Sequence, residues 1–467
     1  MFVKQLYTNC LSEAAYFIES EGVAAVIDPL RDIDVYLDLA NERKATIKYI
    51  FETHFHADFV SGHLDLAAAT GAEIVYGPDA ITNFETYIAK DNETFSIGAV
   101  SLQVLHTPGH TLESSCYLLK DEKQQPYAVF TGDTLFVGDV GRPDLFSGDL
   151  TKEELAAFLF DSLNNKIKTL PDNVIVYPAH GPGSACGKNL GPNTFSTIGD
   201  EKATNYALLA TDKAQFVNEV TSGLSTPPSY FPINAKINKE GYDALSAVLE
   251  KAMRPLSPAD FKAKAKEGAV IVDTRKAVEF GEGFVPGSIS IGLEGRFAEW
   301  AGSLLPFDQD IILVTPLGQE EETVIRLARV GFDNVVGYLD GSYDAWAKAG
   351  EAIDLIITVE PDELAMDIPH DPNLVILDVR KTIEFADGHI KNALNLPLNE
   401  MVDPGKMSDM EEHYNIYVHC QGGYRSIIAC SLLKREGIHS LRNVDGGFAK
   451  MKDQKGLQVV QEKTVLN

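Results

Sequence analysis

The chain has 467 residues, 45% of them hydrophobic and 23% charged, the balance of a folded globular protein rather than a disordered one. At roughly 150 residues per domain that length predicts about three domains. Lysine and arginine number 40 against 68 aspartates and glutamates, a formal net charge of −28, which repels phosphate backbones and anionic lipid and argues against a nucleic-acid or membrane role. No apolar run approaches the length of a membrane span, and the start, MFVKQLYTNC, lacks the basic residues and apolar core of a signal peptide. Five cysteines (Cys10, Cys116, Cys186, Cys420, Cys430) follow no spacing pattern, so a reducing cytoplasm is expected rather than a disulfide framework.

Strand-type runs bounded by Gly, Pro, Asp or Asn recur through the first half: AAVID, IKYIFETH, AEIVYG, SLQVLHT, SSCYLL, YAVFTGD and NVIVYPAH. Helical patterns such as VSGHLDLAAAT and KEELAAFLFDSLNNKI lie between some of them. The mixture predicts an α+β domain of layered sheets and helices, not a regularly alternating parallel one. SGLSTPPSYFPINAKIN, rich in Pro, Ser and Asn, reads as an extended connector, and GYDALSAVLEKAM as a helix leading into the next unit.

The remainder contains an internal repeat. VIVDTRKAVEFGEGFVPGSI aligns with VILDVRKTIEFADGHIKNAL so that Asp273 falls on Asp378, Arg275 on Arg380, Glu279 on Glu384 and Gly283 on Gly388. The same register places Asp340-Gly341 on Asp445-Gly446. Each copy alternates apolar strands with helical runs, the pattern of an α/β domain around a mainly parallel sheet. The expected domains are 1–252, 253–352 and 353–467.

Four strand runs of the first domain end in a potential metal ligand: THFHAD (His54, His56, Asp58), HTPGHT (His110), FTGD (Asp133) and YPAHG (His180). Imidazole and carboxylate together suit zinc, iron or manganese, and strand ends can converge them on one rim. Spacing leaves open whether His54 or His56 is a ligand. In this motif order the region resembles the metallo-β-lactamase superfamily, which implies an αββα sandwich. The usual first motif is H-x-H-x-D-H; here Phe59 stands where the last histidine is expected, and phenylalanine cannot ligate. A single metal is therefore the expectation. THFHADFVSGHLDLA, LHTPGHTLESSCYLL, FTGDTLFVGDVGRPDL and YPAHGPGSACGKNLG resemble the persulfide dioxygenases, the mononuclear iron branch of that superfamily. The resemblance implies one Fe(II) per chain held by His54, His110 and Asp133, with His56, Asp58 and His180 orienting ligands and water or marking a vestigial second site. Arg142, Lys188 and Cys186, in the loops GDVGRPD and SACGKN, are candidate contacts for an anionic thiol substrate. Cys116 reads as core.

In the last domain Cys420 follows the apolar run IYVH and precedes a helical run. The loop Gln421, Gly422, Gly423, Tyr424 can curl its N–H groups around the sulfur, and Arg425 adds charge; both favour a nucleophilic thiolate. Cys430, on the apolar face of the following helix, reads as inert. Both repeats resemble rhodanese sulfurtransferases through LDVR, the C-x-x-G-x-R loop and VDGGF, which implies a cysteine that carries sulfane sulfur as a persulfide. The first copy has Thr315 for Cys420 and Glu320 for Arg425, and is expected to be inactive, with a packing or assembly role and a homo-oligomer as the expected state.

The whole thus resembles bacterial fusions of a persulfide dioxygenase with tandem rhodanese domains. That implies oxidation of a low-molecular-weight thiol persulfide by O2 to sulfite, and sulfur exchange with sulfite and thiosulfate at Cys420, in sulfide detoxification. The principal alternative is a zinc-dependent thioester hydrolase of glyoxalase-II type; a third reading makes the chain a sulfur carrier only.

Overall fold

The structure, a computed structural model, describes residues 1–145, 150–188, 190–407 and 414–462. Its contacts fall into two units, one of residues 1–247 with 327–333, the other of residues 248–326 with 334–467.

Two six-stranded sheets build the first unit. One runs Phe2–Thr8, Glu13–Ser20, Val23–Ile27, Thr46–Glu52, Glu73–Tyr76, Tyr87–Ile88, antiparallel for its first three strands and parallel after. The other runs Ser196–Thr197, Ile175–Pro178, Pro126–Gly132, Ser115–Lys120, Val100–His106, Thr94–Ile97. Strand periodicity sorts the side chains. Ala14, Tyr16 and Ile18 meet Leu102, Tyr117, Leu119 and Phe130 of the second sheet, while their neighbours Ala15 and Phe17 face Tyr36, Leu39 and Leu66 of the helices outside. On the far face Cys116, Leu118 and Val129 pack against Leu159, Leu163 and Phe216. The result is the expected αββα order of layers.

The expected strands and helices are present, with Lys152–Ser162 started by a capping box between Thr151 and Glu154. One expectation is corrected. The segment read as a connector contains a helix, Phe231–Glu240, with Pro232 in its first turn, where the missing N–H costs nothing. Buried Asn238 on that helix gives it a tertiary anchor that composition does not reveal.

In the second unit each repeat forms a five-stranded parallel sheet, and the two orders correspond strand for strand. Pro255–Leu256, Val335–Leu339, Ile311–Val314, Val270–Asp273, Ile289–Ser290 match Ile357–Val359, Leu441–Val444, Asn415–His419, Leu374–Asp378, Leu394–Asn395. Central strands such as Ile311–Val314 are buried throughout, as parallel sheets require. The repeat extends to single bonds. Buried Arg275 grips Asp273 and donates to the Gly283 carbonyl at 2.9 Å; Arg380 grips Asp378 and donates to the Gly388 carbonyl at 2.7 Å. Among the described residues no helix is long and apolar enough to cross a membrane, and all five cysteines are free thiols.

Removing one partner of such a pair strands a buried charge. Arg275→Ala is expected to destabilise the second unit by about 3–5 kcal/mol, read as a lower urea midpoint for that transition.

Candidate metal centre and sulfur-transfer loop

The strands of the first unit end on one rim and there deliver their polar residues. His54, His56 and Asp58 follow Thr46–Glu52, His110 follows Val100–His106, Asp133 follows Pro126–Gly132, and His180 follows Ile175–Pro178. Gly132, at φ +51°, is a close approach: a Cβ there would lie 2.6 Å from the Thr53 side chain.

All six side chains are buried. His54, His110 and Asp133 bring their ligand atoms within 4.8 Å of one another, and so do His56, Asp58 and His180. Asp133 Oδ2 lies 3.4 Å from His110 Nε2 and 3.8 Å from His54 Nε2, and Oδ1 lies 3.5 Å from His180 Nε2. The far nitrogens identify the tautomers. His110 Nδ1 is 2.8 Å from the Arg142 carbonyl and His180 Nδ1 is 3.2 Å from the Ser12 carbonyl, and a carbonyl only accepts. His54 Nδ1 meets Thr53 Oγ1 at 3.0 Å, whose own proton goes to Asp28 Oδ2 at 2.8 Å. The Nε2 atoms of all three rings therefore face a carboxylate whose two oxygens are buried without a hydrogen-bond partner, and, against the pull of burial, Asp58 and Asp133 push His180 above the usual imidazole range. Burial and the neighbouring imidazoles hold His54 well below the usual imidazole range, hence neutral. Lone pairs facing an unneutralised carboxylate repel unless a cation sits among them, so these residues fit a metal.

His56 is placed differently. Its Nε2 lies 3.1 Å from Asp28 Oδ1 and 3.6 Å from Glu52 Oε2, and the Phe59 ring packs 4.3 Å from its own. Burial and Asp28 push the Glu52 carboxyl well above its usual range, while Ser61 Oγ donates to it at 2.5 Å. Asn238 Nδ2 donates to the carbonyls of His56 and Phe59, both at 2.8 Å, pinning the loop. Asp28, Glu52, Thr53 and Asn238 are supports the motif reading missed. VIDP and IFETH do place acids at the ends of strands beside the histidine motif, a signal that was available.

Of the substrate contacts expected from sequence, Arg142 is buried with its guanidinium spent inside the chain. It pairs with Asp144 at 2.6 and 2.8 Å and donates to the carbonyls of Ala185 and Ser225. What it brings to the site is its own carbonyl, which holds His110. Lys188 Nζ donates to the Glu219 carbonyl at 2.9 Å. Cys186 is buried with its sulfur within 4.8 Å of Asp133 and His180 ligand atoms, and burial with nearby Asp58 and Asp133 pushes its thiol well up.

In the second unit Cys420 ends Asn415–His419 and the helix Tyr424–Arg435 begins four residues on. Gly423 N–H donates to the sulfur at 3.1 Å, and Ser426 Oγ lies 3.7 Å away. Gly447, at φ +54°, packs so closely that a Cβ would meet the Cys420 carbonyl at 2.3 Å, and the next N–H, Phe448, bonds that carbonyl. Arg425, expected to lend its charge to the sulfur, makes a bidentate pair with Glu384 at 2.7 and 2.8 Å. Tyr424 OH reaches the Gly292 carbonyl, and Gln421 accepts from Arg380. The first repeat differs at its loop. Gly318, the counterpart of Gly423, donates not to a sulfur but to Glu320 Oε1 at 3.1 Å.

A model of the metallo-beta-lactamase superfamily matches residues 8–180, and one of the rhodanese-like domain matches residues 257–349 and 360–454. A metallo-beta-lactamase structure from Staphylococcus aureus subsp. aureus COL is 35% identical, covers 73% of this chain and 98% of its own, and superposes with a TM-score of 0.64. A probable hydroxyacylglutathione hydrolase, glo2, of Schizosaccharomyces pombe is 35% identical over 161 residues, 34% of this chain and 59% of its own length. ETHE1 from Myxococcus xanthus is 29% identical over 51% of this chain and 100% of its own, with a TM-score of 0.43. The chain belongs to the metallo-β-lactamase superfamily, as an enzyme domain followed by two rhodanese-like domains. It spans about three-fifths of the length of the curated relatives it matches.

Because Thr53 Oγ1 fixes the His54 tautomer, Thr53→Val is expected to weaken metal binding by about 10- to 100-fold without unfolding the protein. Competition titration against a chromophoric chelator reads the loss.

Proposed function

We propose that the first unit oxidises the terminal sulfur of a low-molecular-weight thiol persulfide with O2, at one Fe(II) held by His54, His110 and Asp133, and that Cys420 carries sulfane sulfur to or from sulfite. The balanced first reaction is R–S–SH + O2 + H2O giving R–SH, sulfite and two protons. The observation that carries the reading is Phe59. Where the superfamily pattern calls for a further imidazole it is a buried ring packed on His56, so a second ion lacks a usual ligand.

Bound at two imidazoles and one carboxylate, ferrous iron supplies the redox chemistry with O2 that zinc lacks, and such a set leaves coordination positions for substrate. The chain does the rest. The carbonyls of Arg142 and Ser12 and the Thr53 hydroxyl keep the imidazole protons on Nδ1, away from the substrate side. The buried walls exclude bulk water. Asp58 Oδ2 and His180 Nε2, 3.4 Å apart, hold the water consumed in releasing sulfite and accept its protons. In the second unit the Gly423 N–H holds the sulfur of Cys420, whose thiolate attacks the outer sulfur of R–S–SH, forming Cys420–S–SH and releasing R–S⁻. Sulfite then takes that outer sulfur as thiosulfate and frees the thiolate.

The rival reading, a dinuclear zinc thioester hydrolase, is favoured by the second cluster of His56, Asp58 and His180 and by the likeness to proteins named hydroxyacylglutathione hydrolase. Metal analysis of unsupplemented protein separates the two. The expected result is about one iron per chain with O2 uptake on adding glutathione persulfide; two zinc ions with cleavage of a glutathione thioester would establish the rival. Cys420→Ser is expected to abolish thiosulfate formation from sulfite and leave O2 uptake from free persulfide intact, measured with an oxygen electrode.

A further inference from the structure

Within the second unit a cavity of about 780 Å³ has the sulfur loop, Gly422 to Tyr424, on one side and residues Lys276 to Glu294 of the first repeat on the other. Cys420 is buried directly behind this wall, its sulfur tied to lining residues on two sides. Gly423 donates its N–H to Cys420 Sγ, and Asn443 accepts from Ser426 Oγ, itself 3.7 Å from that sulfur. The lining is acidic: four carboxylates and a single lysine. Lys276 is paired with Glu294 at 3.2 Å and Asp445 with Lys450, which leaves the exposed Glu279 and Glu282 as the carboxylates facing a ligand.

The internal repeat explains why Glu279 is available. Its counterpart Glu384 is neutralised by Arg425; in the first repeat that arginine is Glu320, whose carboxylate is turned to Gly318. The substitutions that removed sulfur chemistry from the first repeat therefore also released a carboxylate onto the cavity beside the surviving cysteine.

We propose that the first rhodanese-like repeat forms a wall of the substrate cavity of Cys420, and that Glu279 and Glu282 select a persulfide whose carrier thiol bears an ammonium group. The inference rests on Cys420 being the sulfur-carrying cysteine. The wall repels the dianions sulfite and thiosulfate alike, so its selectivity acts on the ammonium of the carrier. The volume suits a carrier of about tripeptide size. As in the transfer above, Cys420–S⁻ bonds to the outer sulfur, the R–S bond to it breaks, and R–S⁻ departs.

The test uses the full chain with sulfite as acceptor and compares three donors: glutathione persulfide, N-acetylglutathione persulfide, which lacks the ammonium, and thiosulfate assayed in reverse with glutathione. Wild type is expected to favour glutathione persulfide over its acetylated form, the preference shrinking with added salt. Glu279→Gln with Glu282→Gln is expected to raise KM for glutathione persulfide by about 3- to 10-fold, as the loss of two exposed ion pairs allows, with less effect on the acetylated donor. Glu279→Lys with Glu282→Lys should turn the preference towards thiosulfate. An unchanged ratio of kcat/KM for the two persulfides in both double variants overturns the role of the wall while leaving Cys420 in place. Transfer that survives Cys420→Ser overturns the reading beneath it, and the wall's role with it.

Discussion

A carboxylate with nothing to satisfy it governs the first unit. Asp133 is buried, neither of its oxygens has a hydrogen-bond donor, and each imidazole that faces it holds a proton on the opposite side of its ring. An uncompensated buried anion is among the most costly arrangements a fold can contain, and a cation removes the cost. The sandwich supports it from below through layers of hydrogen bonds. Asp28 orients Thr53, Thr53 orients His54, and the Arg142 guanidinium ties three loops together while its carbonyl orients His110. Residues that read as substrate contacts in a sequence can thus serve as scaffolding, their charge consumed within the chain.

The two repeats show the complementary situation, one backbone with two chemistries. Strand order, the aspartate–arginine grip and the glycine-bearing loop are shared, while Cys420 is replaced by Thr315, Arg425 by Glu320, and one loop N–H finds a different acceptor. In the second repeat it is a sulfur; in the first it is a glutamate that lies two positions beyond the donor. The arginine that keeps Glu384 occupied is also the one whose replacement leaves Glu279 free.

Much of this was legible in the chain. Period-two alternation and turn residues marked the strands that carry the metal motifs, and the internal register exposed the doubled domain, because both signals are local. Cys116 and Cys430, read as core, are buried thiols pushed up by burial, Cys116 to about 11. What escaped is tertiary. The helix Phe231–Glu240 was hidden by a composition suited to a loop, since Asn238 is stabilised by the carbonyls of His56 and Phe59, far away in sequence. The pairing of Arg425 with Glu384 and the hold of the Ala185 and Ser225 carbonyls on Arg142 were equally invisible, because the availability of a charge depends on partners that only folding brings near. Glu52 stood two residues before His54 and Asp28 at the end of the preceding strand, a signal that a motif-by-motif reading passes over.

The Gly318–Glu320 bond sets the first repeat against a restored sulfur. A thiol restored at position 315 would enter a bowl whose donor is already claimed by a nearby anion, and that anion would itself discourage ionisation of the newcomer. Glu320 would therefore have to change together with Thr315 for the first repeat to cradle a sulfur as the second does.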